Sequence, residues 1–367
     1  MCNKNRIALT VMLICIALVS VSASGSDVWD MYRAQKKEKT AVSKRPTAME
    51  LVDRYSHALD STSSFIEEYE KTTKGSSKSA AGSSITDGSY RGQVRYDFDS
   101  QRMYTQQYRW GDVGGRHVDK DNPNYLLGIF NEEMKYQNNE AIGIKPGKVR
   151  RSPRPKELKV RTSYGISFST GFMGSGNERL DNVLRSAKQV SVRGQTEKVG
   201  SSECFVLEAE TKYGQYAIWL DPEHGFHPAK IHQKGDEGDY SGRHLLTKGE
   251  SARAYLKNVR FEKVGDVWVP MEADSRSDMR STQGFHSTED YHYKRTKFIL
   301  NPDHDKLGSF DDPLKNPGQD PELKNGSRVR INSIPIKYTW QNGAVVDADG
   351  NKVDWEKILN ETKNVGN

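Results

Sequence analysis

The residues best equipped for chemistry in this 367-residue chain are His224, His227 and His232, grouped around an acidic turn that holds Asp221 and Glu223. Imidazoles beside carboxylates are the ingredients of a metal site or of a base–nucleophile relay. The spacing argues against both. No His-Glu-x-x-His pair occurs on a helical stretch, and alternation along a strand sends neighbouring side chains to opposite faces. His286 and His292 share strand parity with Asp290, and His304 lies between Asp303 and Asp305. Exposed strand faces and turns explain both arrangements. The run Asp347-Ala348-Asp349-Gly350-Asn351 starts like a calcium loop but lacks the glutamate that closes one, and reads as a hairpin turn. No nucleophile elbow, phosphate-binding loop or dinucleotide fingerprint is present. The expectation is a non-enzymatic protein without metal or cofactor. A hydrolase, needing His224, His227 and an acidic residue to converge, ranks last among the alternatives.

The elements that must position these residues are strands. Residues 213–228 run from an aromatic strand through Asp221-Pro222 into a return strand, and further strands are expected at 189–194, 203–210, 252–263, 266–273 and 284–299. Gly235 to Gly249 reads as an exposed loop. The alternation is cleanest at Tyr90, Gly92, Val94, Tyr96 and Phe98, and it returns in Tyr104, Gln106, Tyr108 and Trp110 after a turn at 99–101. The two runs are expected to pair with their aromatic rings on one surface. Packed cores lean on Leu, Ile and Val, so rings with polar tips suit either a core or the wall of a ligand cavity. Tyr96, Phe98, Tyr104, Tyr108, Trp110 and Trp219 are the cavity-wall candidates.

Helical spacing is confined to three places. Met49, Val52, Tyr55 and Leu59 mark a helix over 48–61; Leu180, Val183, Leu184 and Ala187 mark a second; Trp355, Ile358 and Leu359 mark a third at 354–363. A helix set midway in a series of strands must lie across an open face of the sheet, where it could cover a cavity. Residues 111–170 read as irregular apart from short strands at 125–130 and 135–138, and Gly75 to Ser84 reads as a mobile loop. Short edge strands are expected at 329–331, 336–340 and 344–346.

Lys4 and Arg6 precede an apolar run from Ile7 to Val21 and then small residues, the order of a secretory signal peptide with cleavage near Ala23 or Gly25. A run of about 15 residues is short for a membrane-spanning helix, which needs roughly 20. Removal of 1–25 takes Cys2 and Cys15 and leaves Cys204 alone, so an exported fold must be held by its core rather than by a disulfide. That combination points to the periplasm. Residues 26–45 read as a flexible tether. The full chain carries 55 Lys and Arg against 49 Asp and Glu, and loss of Lys4 and Arg6 lowers the net charge from +6 to +4. The positive charge is concentrated only in a Pro-containing run from Lys145 to Arg161, read as a solvated loop; export argues against a nucleic-acid partner.

In order, the helix at 48–59, the alternating pair at 90–110, Val192-Arg193-Gly194 before Cys204-Phe205-Val206-Leu207, Trp219-Leu220-Asp221-Pro222 with Gly225-Phe226-His227-Pro228, and Val267-Trp268-Val269-Pro270 resemble the outer-membrane lipoprotein carrier and sorting superfamily, the LolA/LolB-like proteins. The resemblance spans roughly 46–315, followed by a C-terminal extension, 316–367. It implies a mainly β (α+β) fold: a strongly curved antiparallel sheet forming a half-open barrel, with helices as a lid over a hydrophobic concavity. It also implies a lipid or lipoprotein acyl chain as the partner, captured by burial, with envelope membrane proteins as further partners. The alternative from another class is a structural envelope protein that uses the same sheet as an interaction platform.

Overall fold

The computed structural model describes residues 45–80, 82–113, 116–131, 134–141, 148–153, 171, 173, 178–331 and 336–363. The proposed signal peptide and nearly all of the tether lie outside the described residues. Helix α1 (Ala48–Asp60) begins at a reciprocal cap: the Glu50 amide donates to Thr47 Oγ1 at 3.2 Å, and the Thr47 amide donates to Glu50 Oε2 at 2.7 Å. Leu51, Val52, Tyr55, Ala58 and Leu59 bury one helix face. The strands β1 (Ser64–Ser79), β2 (Gly82–Asp97), β3 (Arg102–Val113), β4 (Arg116–Val118), β5 (Asn124–Phe130), β6 (Met134–Ala141) and β7 (Lys148–Pro153) follow. A short helix, α2 (Leu180–Arg185), precedes β8 (Gln189–Val192), β9 (Glu197–Val199), β10 (Ser202–Thr211), β11 (Gly214–Asp221) and β12 (His227–Gly235). After the small hairpin β13 (Tyr240–Ser241) and β14 (His244–Leu245) come the long strands β15 (Ser251–Val264), β16 (Val267–Arg280) and β17 (His286–Leu300). The chain ends in β18 (Arg328–Ile331), β19 (Tyr338–Gln341), β20 (Ala344–Val346) and α3 (Trp355–Lys363).

Antiparallel pairing runs from β8 and β9 on one edge through β10, β11, β12, β15, β16 and β17, then across to β1, β2, β3, β5, β6 and β7. The two halves of the meander are therefore joined by β17 against β1, over 200 residues apart in sequence. Strand β18 then pairs parallel to β7.

Curvature follows from which residues share a core. A single apolar cluster takes Leu207 from β10, Ile218 and Leu220 from β11, Ile231 from β12, Leu256 from β15, Ala273 from β16, Tyr293 from β17, Phe65 and Tyr69 from β1, Val94 and Tyr96 from β2, and Met103 from β3. Laid flat, nine strands about 4.8 Å apart would span roughly 38 Å. Helices α1 and α2, each about 10 Å wide, close that same cluster with Leu51, Val52, Tyr55, Leu180, Val183 and Leu184. The sheet must wrap around them. This is the half-open barrel with a helical lid, and its interior under the lid is packed.

Adjacent residues on a strand face opposite ways, so Tyr104, next to Met103, belongs to a second core on the outer face. There Tyr104, Tyr125, Leu127, Ile129 and Tyr136 pack against Phe310, Leu314, Val329, Ile331 and Trp340. The stretch 301–327 thus crosses the outer surface of the N-terminal half as a strap, and Arg95 grips it by donating to Gln319 Oε1 at 3.1 Å.

Two expectations fail locally and a third gains detail. The expected loop from Gly75 to Ser84 is the end of the β1/β2 hairpin, in register through Ser77 opposite Ser84, with their hydroxyls 2.8 Å apart. Ser, Thr and Gly carry no apolar alternation there, and the pairing is supplied by partner backbones. The basic run expected to be a solvated loop contributes β7, held between β6 and β18; the rest of the run, 145–147 and 154–161, lies outside the described residues. The expected exposed loop at 235–249 is largely exposed and carries the small hairpin β13/β14.

Candidate functional site

Candidate site geometry begins with the two carboxylates, Glu67 and Glu289, and the three cations, Lys71, Arg109 and Arg295, that the sheet places on its inner floor. On β1 the inward positions are Phe65, Glu67, Tyr69, Lys71 and Thr73, facing Tyr96, Val94, Gly92, Tyr90 and Gly88 of β2. Glu67 is fully buried and accepts from Tyr293 Oη at 2.7 Å and Arg295 Nε at 2.5 Å, while Arg295 also donates to the Pro270 carbonyl at 2.6 Å. The next rung is a stack of Tyr69 on Tyr293, with centroids 5.3 Å apart. Gly92 is obligatory beneath it, since a Cβ there would stand 2.8 Å from the Tyr69 ring. At Tyr69 and Tyr293 the lid-covered core ends.

One rung further, Lys71 Nζ lies 4.4 Å from the Tyr90 ring centroid and 4.9 Å from that of Tyr291, and Arg109 lies 5.1 Å from the centroid of the same Tyr90 ring. Lys71 is only 8% exposed. Burial, with Arg109 alongside, pulls its ammonium down to about 8. Beyond it the floor becomes small and polar: Thr73, Gly88 and Gly111, then Gly75, Thr86 and Glu289, then Ser77 and Ser287. The floor is therefore amphipathic along its length, apolar under the lid and polar outside it.

The two lid helices are tied to each other. Arg179 donates to Asp60 at 2.7 Å and to Asp181 at 2.6 Å, Ser56 donates to Asp181 at 2.7 Å, and Arg185 pairs with Asp53 at 2.6 Å. Asp181 is held below the usual carboxylate range by Arg179 and Ser56, against its burial. Under the lid, Tyr55 Oη is buried without a hydrogen-bond partner among the described residues.

The six cavity-wall candidates do not share one surface. Strands β2 and β3 are joined through 98–101, a four-residue connection, so Tyr96 opposes Met103 and Tyr90 opposes Arg109. Even-numbered positions on the two strands consequently face opposite ways. Tyr96 and Phe98 join the lidded core; Tyr104 belongs to the strap-covered core and Tyr108 packs against it. Trp110, half-buried, shares the outer parity of Tyr104 and Tyr108. Trp219 falls in a third cluster on the outer face with Cys204, Val206 and Ala229. Its indole N–H donates to Glu197 at 2.8 Å, and Lys230 lies 4.1 Å over its ring. Cys204 is a buried small hydrophobe, its thiol pushed up to about 12 by burial.

The inner residues that sequence reading missed are Glu67, Lys71, Arg109, Tyr293 and Arg295. Their charges sit at positions where apolar residues would have announced a half-buried strand, so β1 went unrecognised altogether.

The histidines also separate. His224 Nδ1 lies 2.7 Å from Asp221 Oδ2, with its ring stacked on Phe261 at 4.8 Å. His232 lies on the outer face between Trp219 and Tyr255. His227 is buried, which pulls its imidazole down to about 4. Among the described residues no three His, Cys, Asp or Glu side chains form a group that could hold a metal. On the outer face, a groove of about 520 Å³ is lined by polar residues such as Ser191, Glu208, His232 and Lys234.

The depressed His227 pKa carries a pH consequence. A histidine whose folded pKa lies below its unfolded value near 6.5 contributes stability that is present above pH 6.5 and lost as pH falls towards 4. Wild type should therefore lose about 3 kcal/mol relative to His227→Gln between pH 7.5 and 4. Urea denaturation of both proteins across that range measures it, and parallel pH profiles would refute the assignment.

The class this arrangement defines is an open half-barrel: a curved antiparallel sheet whose inner face is closed by two short helices. Solved structures similar to this chain include a domain assigned provisionally to outer membrane lipoprotein-sorting proteins from Vibrio parahaemolyticus, at 15% identity and TM-score 0.36, covering 70% of this chain and 93% of that one. A DUF1329 family protein from Desulfovibrio piger is similar at 13% identity and TM-score 0.35, covering 72% and 99%. The Pseudomonas aeruginosa MucA/MucB complex is similar at 7% identity and TM-score 0.22, covering 70% and 99%. No protein-family model and no curated relative matches the chain.

Proposed function

We propose that this protein is a periplasmic, non-enzymatic carrier that holds the acyl chain of a lipid or lipoprotein against the inner face of its sheet, beneath the α1/α2 lid. The observation that supports this most is the single apolar core that nine strands share with only two short helices. Those helices lie outside the strand ladder and are tied to each other by Arg179, Ser56 and Arg185. Displacing the lid exposes an apolar trough without breaking a strand pair. Each acyl methylene buried there is worth about 0.8 kcal/mol, which offsets loss of the lid contacts. Phe65, Tyr69, Val94, Tyr96, Phe98 and Tyr293 are the proposed wall.

The test is binding of a fluorescent fatty-acid probe, together with native mass spectrometry of protein purified from its own envelope. Arg179→Ala removes the tie between the two lid helices; if that holds them closed by about 1.4 kcal/mol, the open population and the apparent affinity rise roughly tenfold. Tyr96→Ala with Phe98→Ala is expected to weaken binding about tenfold, whereas Trp110→Ala, on the outer face, leaves it unchanged. A folded protein that arrives without lipid, and binds no probe even as Arg179→Ala, would overturn the carrier reading. The polar outer groove would then make the interaction platform the better account.

A further inference from the structure

Among the described residues, two cations on the inner floor have no hydrogen-bond acceptor. Lys71 Nζ makes no hydrogen bond or ion pair there and packs against two ring faces, with Arg109 and Glu289 in its electrostatic surroundings, and the buried Nε of Arg109 has no hydrogen-bond partner. Buried charges in folded proteins are normally paired. Nearby, Glu67 is taken up by Arg295 and Tyr293, and Glu289 accepts from the Tyr291 hydroxyl. Lys71, Arg109 and Glu289 together leave the rung with one uncompensated positive charge. The rung lies where the apolar floor gives way to the trough of Thr73, Gly88 and Gly111, the boundary an amphiphile has between chain and headgroup.

We infer that Lys71 and Arg109 form a binding site for the anionic group of the bound amphiphile, a phosphate or carboxylate seated between ammonium and guanidinium with its chain under the lid; this rests on the acyl-carrier reading. Tyr90 and Tyr291 flank the Lys71 ammonium. Charge-assisted bonds from both cations would supply the acceptors they lack.

The experiment compares three probes with the same twelve-carbon chain, dodecyl phosphate, laurate and neutral dodecyl maltoside, on wild type, Lys71→Met and Arg109→Gln. Wild type is expected to bind the better of the two anionic probes at least tenfold more tightly than the maltoside; which is tighter identifies phosphate or carboxylate as the natural group. Lys71→Met should bring that preference within twofold, and Arg109→Gln should reduce it severalfold, with maltoside affinity changed less than twofold in each. Lys71→Met should melt no lower than wild type, because it removes an unpaired buried cation. Separately, millimolar inorganic phosphate should raise the melting temperature of wild type but not of the Lys71→Met/Arg109→Gln double variant. Should no amphiphile bind while phosphate still protects wild type alone, the acyl reading falls and the oxyanion site stands. Should the anionic probes hold no advantage and phosphate give no protection, the site is overturned whatever the maltoside does.

Discussion

Replacing Arg295 with methionine while Glu67 remains is expected to lower the stability of the fold by about 3–5 kcal/mol. Glu67 is completely shielded from solvent on the inner floor, and among the described residues its second oxygen is served only by the Tyr293 hydroxyl at 2.7 Å. Without the guanidinium, a carboxylate is left buried with one neutral donor. The change also empties the slot over Phe298, whose ring centroid lies 4.7 Å from the Arg295 guanidinium. The pair as a whole is worth far less than either half, because both charges were dehydrated to form it. Glu67→Leu with Arg295→Met, similar in volume and apolar, should therefore recover most of the loss. Urea denaturation with a shared m-value reads the difference. A single variant within 1 kcal/mol of wild type would mean that water reaches Glu67.

The second large effect lies on the outer face, where Asp320 ties the strap to the sheet. Its Oδ1 accepts from Tyr125 at 2.9 Å and from the Glu322 amide at 3.1 Å; its Oδ2 accepts from Tyr136 at 2.6 Å and from Asn138 at 2.9 Å. Tyr125, Tyr136 and Asn138 are all buried. Asp320→Ala strands three buried donors at roughly 1–3 kcal/mol each, less whatever water enters the space, so a loss of about 3–5 kcal/mol is expected. Asp320→Asn, which keeps one acceptor oxygen, should lose less. The signature of this mechanism is local: protease should cut within 301–327 in Asp320→Ala before the sheet unfolds. Loss of stability with the strap still protected would mean that the donors had found other partners. Burial holds the Asp320 carboxyl above the usual carboxylate range despite its donors. Its contribution is present below the unfolded value near 4 and fades as pH rises through the folded one, opposite in sign to that of His227. For that reason the difference between wild type and His227→Gln, rather than the wild-type curve alone, carries the histidine test.

Much of the architecture is local and therefore legible in the residues. The Thr47/Glu50 cap and the spacing of Val52, Tyr55 and Leu59 specify α1 without reference to anything else. The turn at Asp221-Pro222 forms because Asp221 caps the following 3₁₀ turn and Gly225 takes a left-handed conformation at φ 70°. Alternation marks β2, β3 and the long meander from β10 to β17, since a half-buried strand must segregate its faces. What alternation cannot say is which face of one strand meets which face of the next. That parity was set by the four-residue connection between β2 and β3, and it divided Tyr96 and Phe98 from Tyr104, Tyr108 and Trp110.

Tertiary structure alone decided the site. Strand β1 carries Glu67 and Lys71 at inward positions, so its hydrophobic period is interrupted where its chemistry resides. The partner that neutralises Glu67 comes from β17, more than 200 residues away. The cation that joins Lys71 comes from β3, across an intervening strand. Such juxtapositions depend on strand order and register, which arise from the closing of the whole sheet around α1 and α2. The sequence by itself determined that this chain would build a meander with a helix to lay across it; only the folded sheet determined which charges would be dehydrated together on its inner floor.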